Sequence, residues 1–117
     1  GIIGRTVEGM ERCFNSLPQD LIAGIGPAIG QCCYEVGRDV VNSFKATFPW
    51  WRELVDKRIN GRWFLDLPMS CIRVLQDKGI KNIESLQMCT HCNSELFHSF
   101  RREREKGGEQ LSFICLK

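Results

Sequence analysis

Short apolar runs alternate with segments of helical periodicity along this chain, and that alternation most restricts its possible folds. Residues 5–17, 37–48 and 68–78 carry apolar side chains at helical spacing, and each segment predicts a helix. Residues 21–25 and 63–66 are short apolar runs bounded by turn residues, which is typical of buried strands. The alternation favours a mixed α/β fold, a mixed sheet with flanking helices, over a helical bundle.

The rest of the chain adds two predicted strands and one loop. Residues 83–88 and the β-prone residues 111–116 predict strands. The charged residues 101–108 end in two glycines and predict a solvated loop. Thr6 and Asp66 are candidate N-caps for the first and third helices, because their side-chain oxygens can accept from backbone N–H groups there.

The composition excludes several classes of protein. The 117 residues, 43% of them hydrophobic, are enough for residues 1–117 to form a single domain with its own core. The net charge is only +2, which is too weak to indicate nucleic acid or a membrane surface as a partner. No signal peptide and no Met open the chain, so we expect a cytoplasmic protein that is a fragment or a processed product.

The seven cysteines are an odd number without the regular framework of a secreted scaffold. Without an export signal, reduced thiols are the expected state. Cys13, Cys71 and Cys115 each stand among apolar neighbours, so we expect them to behave as small core residues.

The segment from Gly26 to Gly37 is the most distinctive stretch of the chain. Its glycines and Pro27 rule out regular structure at its start, and it follows a predicted buried strand, where ligand sites commonly form. The alternative is a tight strand-to-helix connection with Cys33 and Tyr34 packed beneath it. Neither cysteine of this segment has a neighbouring base that would make it a nucleophile.

The Cys89-Thr90-His91-Cys92 segment, with His98 following, has the spacing of half a metal site. A structural zinc needs four ligands, however, and this group offers three. Adjacent Cys32 and Cys33 point in different directions on a strand or a helix, which makes them a poor second pair. A turn with two half-buried thiols is therefore the favoured interpretation.

Two further groups have alternative roles. Arg101 or Arg102 could hold a phosphate or carboxylate through the bidentate fork of its guanidinium, although most exposed arginines only solvate a surface. Trp50 and Trp51 are core or interface residues, and an exposed pair would indicate a partner surface.

Four segments, in order, resemble those of one known family. Residues 25–37 (IGPAIGQCCYEVG) are similar to its Gly-Pro segment, and residues 64–67 (FLDL), leading into a helix that ends near Gly79, resemble its LDL segment. Residues 88–102 (MCTHCNSELFHSFRR) resemble its CTYCNPELFFSYRR segment, and residues 112–114 (SFI) its final strand. The chain thus resembles the C-terminal half of YfiH-like laccase-domain proteins, also called multicopper polyphenol oxidase-like proteins.

The resemblance implies a mixed α/β fold and zinc-dependent phosphorolysis and deamination of purine nucleosides, with copper in an older label. The family holds its metal with two His and one Cys, in segments before the Gly-Pro loop. Residues 5–10 align with the end of the last such segment, so its His falls just before Gly1. We therefore expect no catalytic residue and no metal in this chain. The binding residues that the resemblance carries over are Gly26, Pro27, Tyr34 and Arg101.

Three hypotheses follow. The first is the C-terminal portion of a purine nucleoside enzyme, inactive alone, whose complete form binds purine nucleoside and phosphate. The second is a truncated paralogue without catalysis that acts as a protein-interaction module, through self-association or with the missing N-terminal half. The third is a small zinc-binding module that uses Cys89, Cys92 and His98, and that fails to fold in a chelator.

Overall fold

The computed structural model describes residues 1–115, which form two small sheets connected by helices. The helices are α1 Ile2–Phe14, α2 Arg38–Thr47, α3 Trp51–Leu54, α4 Leu67–Asp77 and α5 Phe100–Glu103, with 3₁₀ turns at Pro18–Asp20 and Arg104–Lys106. The strands are β1 Ile22–Ile25, β2 Glu35–Val36, β3 Val55–Lys57, β4 Trp63–Leu65 and β5 Asn82–Ser85. The mixed α/β class predicted from the alternating pattern is confirmed.

The first sheet is a parallel pair of β1 and β5, in which Ile22 lies opposite Asn82 and Ile25 opposite Ser85. Parallel strands cannot be joined by a tight turn and need a long crossover connection. Here the crossover contains the whole second sheet and α2, α3 and α4.

The second sheet is antiparallel, in the order β2-β4-β3. Strands β3 and β4 form a hairpin, whose turn places Gly61 at a positive φ of 77°, as the Asn60-Gly61 pair predicts. The short strands β2 and β3 escape prediction from sequence because neither carries a full apolar run.

Helix α4 lies between the two sheets and packs against α1, α3, β1 and β5. Asp66 caps it, as expected: its Oδ1 accepts a hydrogen bond from the Met69 N–H at 2.9 Å. Gly79 follows the helix with a positive φ of 86°, a conformation in which a side chain would be strained.

The apolar side chains form two separate cores. The larger core joins the antiparallel sheet to α2 and α3; its buried members are Val36, Val41, Trp50, Leu54, Val55 and Leu65. The smaller core lies under the parallel sheet; its buried members are Val7, Leu75 and Ile80. Trp50 is buried in the larger core and Trp51 packs against it, so the pair is core material and not an exposed partner surface.

The first helix differs from its predicted bounds. It begins at Ile2 with Gly1 as N-cap, so Thr6 lies inside it and donates to the Ile2 carbonyl instead of capping the helix. It ends at Phe14, three residues before the predicted end at residue 17, and its C-cap Asn15 adopts a left-handed φ of 53°.

The C-terminal segment is the second place where the prediction was wrong. Residues 111–115 form no strand and leave Leu111, Phe113 and Ile114 almost fully exposed, because neither sheet edge lies against them. Leu116, the last residue of that predicted strand, lies outside the described residues. Residues 101–108 are not a simple loop, since they contain most of α5 and a 3₁₀ turn.

Two of the three predicted core cysteines are on the surface. Cys13 and Cys115 are exposed, and Cys71 is half-buried. The apolar neighbours that suggested burial are themselves exposed, as Phe14 (76%) and Ile114 (98%) demonstrate. Within residues 1–115, no helix has both the length and the apolar character that crossing a membrane requires.

Candidate functional site

Two loops meet at the carboxyl ends of β1 and β5. The parallel pairing continues past the strands, because the Leu86 N–H donates to the Ile25 carbonyl and the Thr90 N–H to the Ala28 carbonyl, both at 3.0 Å. Residues 25–30 and 86–90 therefore run side by side. The carboxyl ends of parallel strands are the usual place for ligands in α/β proteins.

Four cysteines from these loops converge into one group, which we call the four-thiol cluster: Cys32, Cys33, Cys89 and Cys92. Their Sγ atoms all lie within 4.8 Å of one another. The Cys92 Sγ is 3.6 Å from that of Cys32 and 3.4 Å from that of Cys33. The expectation that the adjacent cysteines make a poor second pair is therefore wrong.

The reason lies in the backbone of that segment. Residues 31–33 form a turn, in which the N–H groups of Cys33 and Tyr34 both donate to the Gly30 carbonyl, at 3.0 and 2.9 Å. On a strand or a helix two successive side chains diverge. On this turn both thiols reach the same partner, Cys92.

Gly30 lets the two loops approach each other. Its N–H donates to the Cys89 Sγ at 3.2 Å. A Cβ at this position would stand 3.2 Å from the Cys89 Cβ and 3.3 Å from the Cys32 Sγ, which is closer than side chains normally pack. Glycine therefore fits here without displacing the two cysteine side chains, which a Cβ would push back by a few tenths of an ångström.

The thiols of the cluster differ in acidity. Desolvation raises the pKa of Cys89, but N–H donors from Gly30, Cys92 and His91 and the Cys32 thiol outweigh it and lower the pKa to about 6. Desolvation and the contact with Cys92 raise the pKa of Cys33. Desolvation and the contacts with Cys89 and Cys92 likewise raise the pKa of Cys32. The Cys89 thiolate is thus favoured beside Cys32 and Cys33, which hold their protons more tightly than a free thiol.

A guanidinium lies behind each cysteine pair. Arg102 donates to the Thr90, His91 and Phe97 carbonyls at 2.7–2.9 Å, which fixes the Cys89–Cys92 turn. Because its remaining donors bind Glu103, Arg102 is committed to the fold and is not the free anion contact considered from sequence. Arg58 donates to the Cys32 carbonyl at 3.3 Å.

His98 does not join the cysteines. Its Nδ1 lies 3.2 Å from the Glu103 carboxylate, and its ring lies against Gly108. The group of potential metal ligands among residues 1–115 contains four thiols and no imidazole. The predicted three-ligand set of Cys89, Cys92 and His98 is therefore wrong in its third member.

Of the four residues expected to bind substrate, two come together. The Arg101 guanidinium lies over the Tyr34 ring, 5.1 Å from its centroid, and donates to the Glu35 carbonyl at 2.9 Å. Gly26 and Pro27 lie at the other end of the loop, directly after β1.

A cleft of about 160 Å³ opens beside the four-thiol cluster. Sequence reasoning missed its lining, which includes Gln31, Asp66, Met69, Ser85 and Gln87. The Ser85 Oγ is buried and has no hydrogen-bond partner in the described part of the chain. A buried hydroxyl without a partner is costly to the fold, and Ser85 stands at the wall of this cleft. Both the cleft and the four-thiol cluster depend on the pairing of β1 with β5, which the sequence does not reveal.

The model of the multi-copper polyphenol oxidoreductase laccase family matches residues 1–117. The chain belongs to this family, whose YfiH-like members it resembles in fold.

Relatives support that assignment. Purine nucleoside phosphorylase YlmD from Geobacillus stearothermophilus is 37% identical over 121 residues, which cover 97% of this chain and 43% of that protein. Purine nucleoside phosphorylase YfiH from Escherichia coli is 28% identical and covers 99% of this chain and 47% of its own length. The crystal structure of Bacillus licheniformis hypothetical protein YfiH superposes with a TM-score of 0.83 at 33% identity, covering 90% of this chain and 40% of that one. The chain thus spans less than half the length of each.

The family name implies a metal, for which the resemblance implies a His/Cys/His ligand set. The ligand group present is four thiols without histidine. Four thiolates close a tetrahedral site, whereas a catalytic metal keeps one position open for water or substrate. The residues of this chain therefore do not fit the family's catalytic metal.

Proposed function

We propose that this chain is the C-terminal portion of a purine nucleoside-processing enzyme and is inactive alone. The observation that carries the proposal is the family match along all 117 residues, together with relatives named purine nucleoside phosphorylase. The reaction class is phosphorolysis of adenosine or inosine, with deamination of adenosine as a second activity, in the cytoplasm. The family's zinc belongs to the rest of the enzyme, and no step of the chemistry is assigned to the residues described here.

The contribution of this chain is a wall of the binding site. The cleft at the carboxyl ends of β1 and β5 is lined by polar side chains that suit a polar ligand, among them Gln31, Asp66 and Gln87. Arg101 uses one donor on the Glu35 carbonyl, and a guanidinium has five. The contact with the Tyr34 ring holds the Arg101 guanidinium in place. Its remaining N–H donors therefore suit an anion such as phosphate.

The test is a turnover assay with two proteins. The first is this chain, and the second is this chain joined to the upstream half of the YlmD relative. We expect no release of hypoxanthine or adenine from the chain alone and measurable phosphorolysis from the joined protein. Turnover by the chain alone would overturn the proposal.

One variant of the joined protein tests the anion contact. Arg101→Ala is expected to raise the KM for phosphate about 10- to 150-fold, because a hydrogen bond to a charged group contributes about 1.5–3 kcal/mol. The matched control is Arg38→Ala, an exposed arginine at the start of α2. Equal KM values for the two variants would remove Arg101 from the site.

A second candidate function, a protein-interaction module without catalysis, is favoured by one surface. A groove of about 250 Å³ between α1, β1 and α4 is lined by apolar side chains, including the exposed Ile2 and Ile22. Such a patch is typical of an interaction site. A stable dimer of the chain in solution, together with no activity of the joined protein, would favour this alternative over the first.

A further inference from the structure

The four-thiol cluster is a binding site that neither the family's metal nor the proposed nucleoside chemistry uses. We propose that it binds one zinc ion as a closed tetrathiolate site, which fastens the loop after β1 to the loop after β5. The site is structural and independent of the proposed function, because it requires only residues of this chain.

Geometry is the first argument. Four sulfurs at about 2.3 Å from one zinc ion stand about 3.8 Å apart at the corners of a regular tetrahedron. The observed separations of 3.4 and 3.6 Å, with all four sulfurs within 4.8 Å, need only small side-chain rotations to reach that arrangement. The sulfurs come from two pairs, one on each loop: Cys89 and Cys92 have the usual Cys-x-x-Cys spacing, whereas Cys32 and Cys33 are adjacent and both reach Cys92 from the turn at Gly30.

The surroundings are the second argument. Ligand sulfurs in metal sites are oriented by partners in the next layer. Here the Gly30 N–H donates to the Cys89 Sγ, and Asn93 closes the Cys89–Cys92 turn by donating to the Cys89 carbonyl at 2.7 Å from its side chain. The turn is thus built before any ion binds.

Charge is the third argument. A zinc ion with four thiolates carries two net negative charges, which need compensation in a partly buried position. Arg102 lies behind one cysteine pair and Arg58 behind the other, each bound to the backbone of its turn. Each guanidinium also pairs with a carboxylate, Arg102 with Glu103 and Arg58 with Asp56, so the two arginines offset only part of this charge.

The chemistry is balanced without any co-reactant. Four Zn–S bonds form, the thiol protons pass to solvent, and no electron is transferred. A disulfide within the cluster would instead require an oxidant.

The test uses the whole chain, purified under reducing conditions without chelator. Native mass spectrometry and elemental analysis are expected to give one zinc per chain. After removal of the metal, titration with Co²⁺ is expected to produce the visible absorption of a tetrahedral cobalt tetrathiolate, with its endpoint at one equivalent. Thiol labelling is expected to modify Cys13, Cys71 and Cys115 and to spare the four-thiol cluster until a chelator is added.

Three variants locate the site. Cys92→Ser is expected to weaken zinc binding by more than about 100-fold, since even loss of a supporting second-layer partner weakens metal sites 10–100-fold. Cys13→Ser, an exposed thiol outside the cluster, and His98→Ala are expected to bind zinc as the parent does. If Cys92→Ser fails to fold, the cobalt spectrum and the labelling pattern of the parent chain still decide the question.

Any of three results would overturn the proposal. The first is a reduced chain that contains no zinc and gives no cobalt band. The second is a His98→Ala variant that loses zinc as strongly as Cys92→Ser does. The third is a disulfide within the cluster in the sample kept under reducing conditions.

Discussion

The two halves of the molecule are packed to different degrees. Around the antiparallel sheet, six buried side chains form one core, and Leu65 and Val41 within it are almost fully enclosed. Around the parallel pair, three buried side chains form the core, and Ile22 of β1 remains 74% exposed. Parallel sheets are normally covered on both faces, and this one is not. The first half is complete within this chain, while the second presents apolar surface that another surface could cover.

The largest expected effect is in the complete half. Leu65→Ala should lower the free energy of unfolding by about 4 kcal/mol, because the enclosed site cannot collapse around the cavity. Urea unfolding, monitored by tryptophan fluorescence, measures this change in the free energy of unfolding. Leu96→Ala, at a position that is 64% exposed, is the control and should change little. A loss below about 1 kcal/mol for Leu65→Ala would contradict the tight packing of this core.

A smaller loss is expected in the open half. Ile80→Ala should cost about 2 kcal/mol, at the low end for a buried large-to-small change, because the neighbouring groove lets the site relax. The same urea experiment measures the loss of unfolding free energy in Ile80→Ala. If Ile80→Ala cost as much as Leu65→Ala, the contrast between the two cores would be wrong.

An intermediate element tests whether the halves unfold together. Asp66→Ala should remove the N-cap of α4 and cost about 1 kcal/mol. Because α4 packs against both halves, transitions monitored by fluorescence and by circular dichroism should shift equally. Asp66→Asn keeps a capping oxygen and is the matched control. A shift of the transition in only one of the two signals would show that the halves unfold separately.

The smallest effect concerns pH in the complete half. The hydrogen bond from Arg62 lowers the pKa of Glu35. A carboxylate with a lowered pKa stabilises the fold above its unfolded pKa of about 4.3, and this contribution is lost as pH falls through the folded pKa. The urea midpoints of parent and Glu35→Gln should therefore differ slightly at pH 7 and converge in acid. Glu95→Gln, which changes an exposed carboxylate, is the control, and its urea midpoint should follow that of the parent at every pH. A difference between Glu35→Gln and the parent that grew as the pH fell would contradict the prediction.

The elements of this fold were predictable wherever periodicity was strong. Helices α2 and α4 and strands β1 and β4 lie within about two residues of their predicted bounds, the usual error of pattern reasoning. The terminal strand failed because β-propensity reflects packing against a neighbour, and residues 111–115 have no neighbouring strand.

The candidate site was predictable in its segments and not in its assembly. Both cysteine pairs stood out in the sequence, but their meeting depends on the parallel pairing of β1 with β5, which no local pattern specifies. The turn at Gly30, which directs Cys32 and Cys33 to the same side, was equally hidden. The placement of Gly26, Pro27, Tyr34 and Arg101 in the binding site stays a prediction.

The parallel pairing also sets an order of folding events. Strands β3 and β4 are joined by a short hairpin turn. Strand β1 pairs with β5, which follows it in the chain only after all three strands of the antiparallel sheet. Long-range pairings close late, because the chain entropy of the loop is lost before contacts repay it. The cysteines of the two loops therefore stay apart through most of folding. Until the parallel pair closes, the four thiols cannot share one ion, so we expect the proposed zinc site to form only at a late stage of folding.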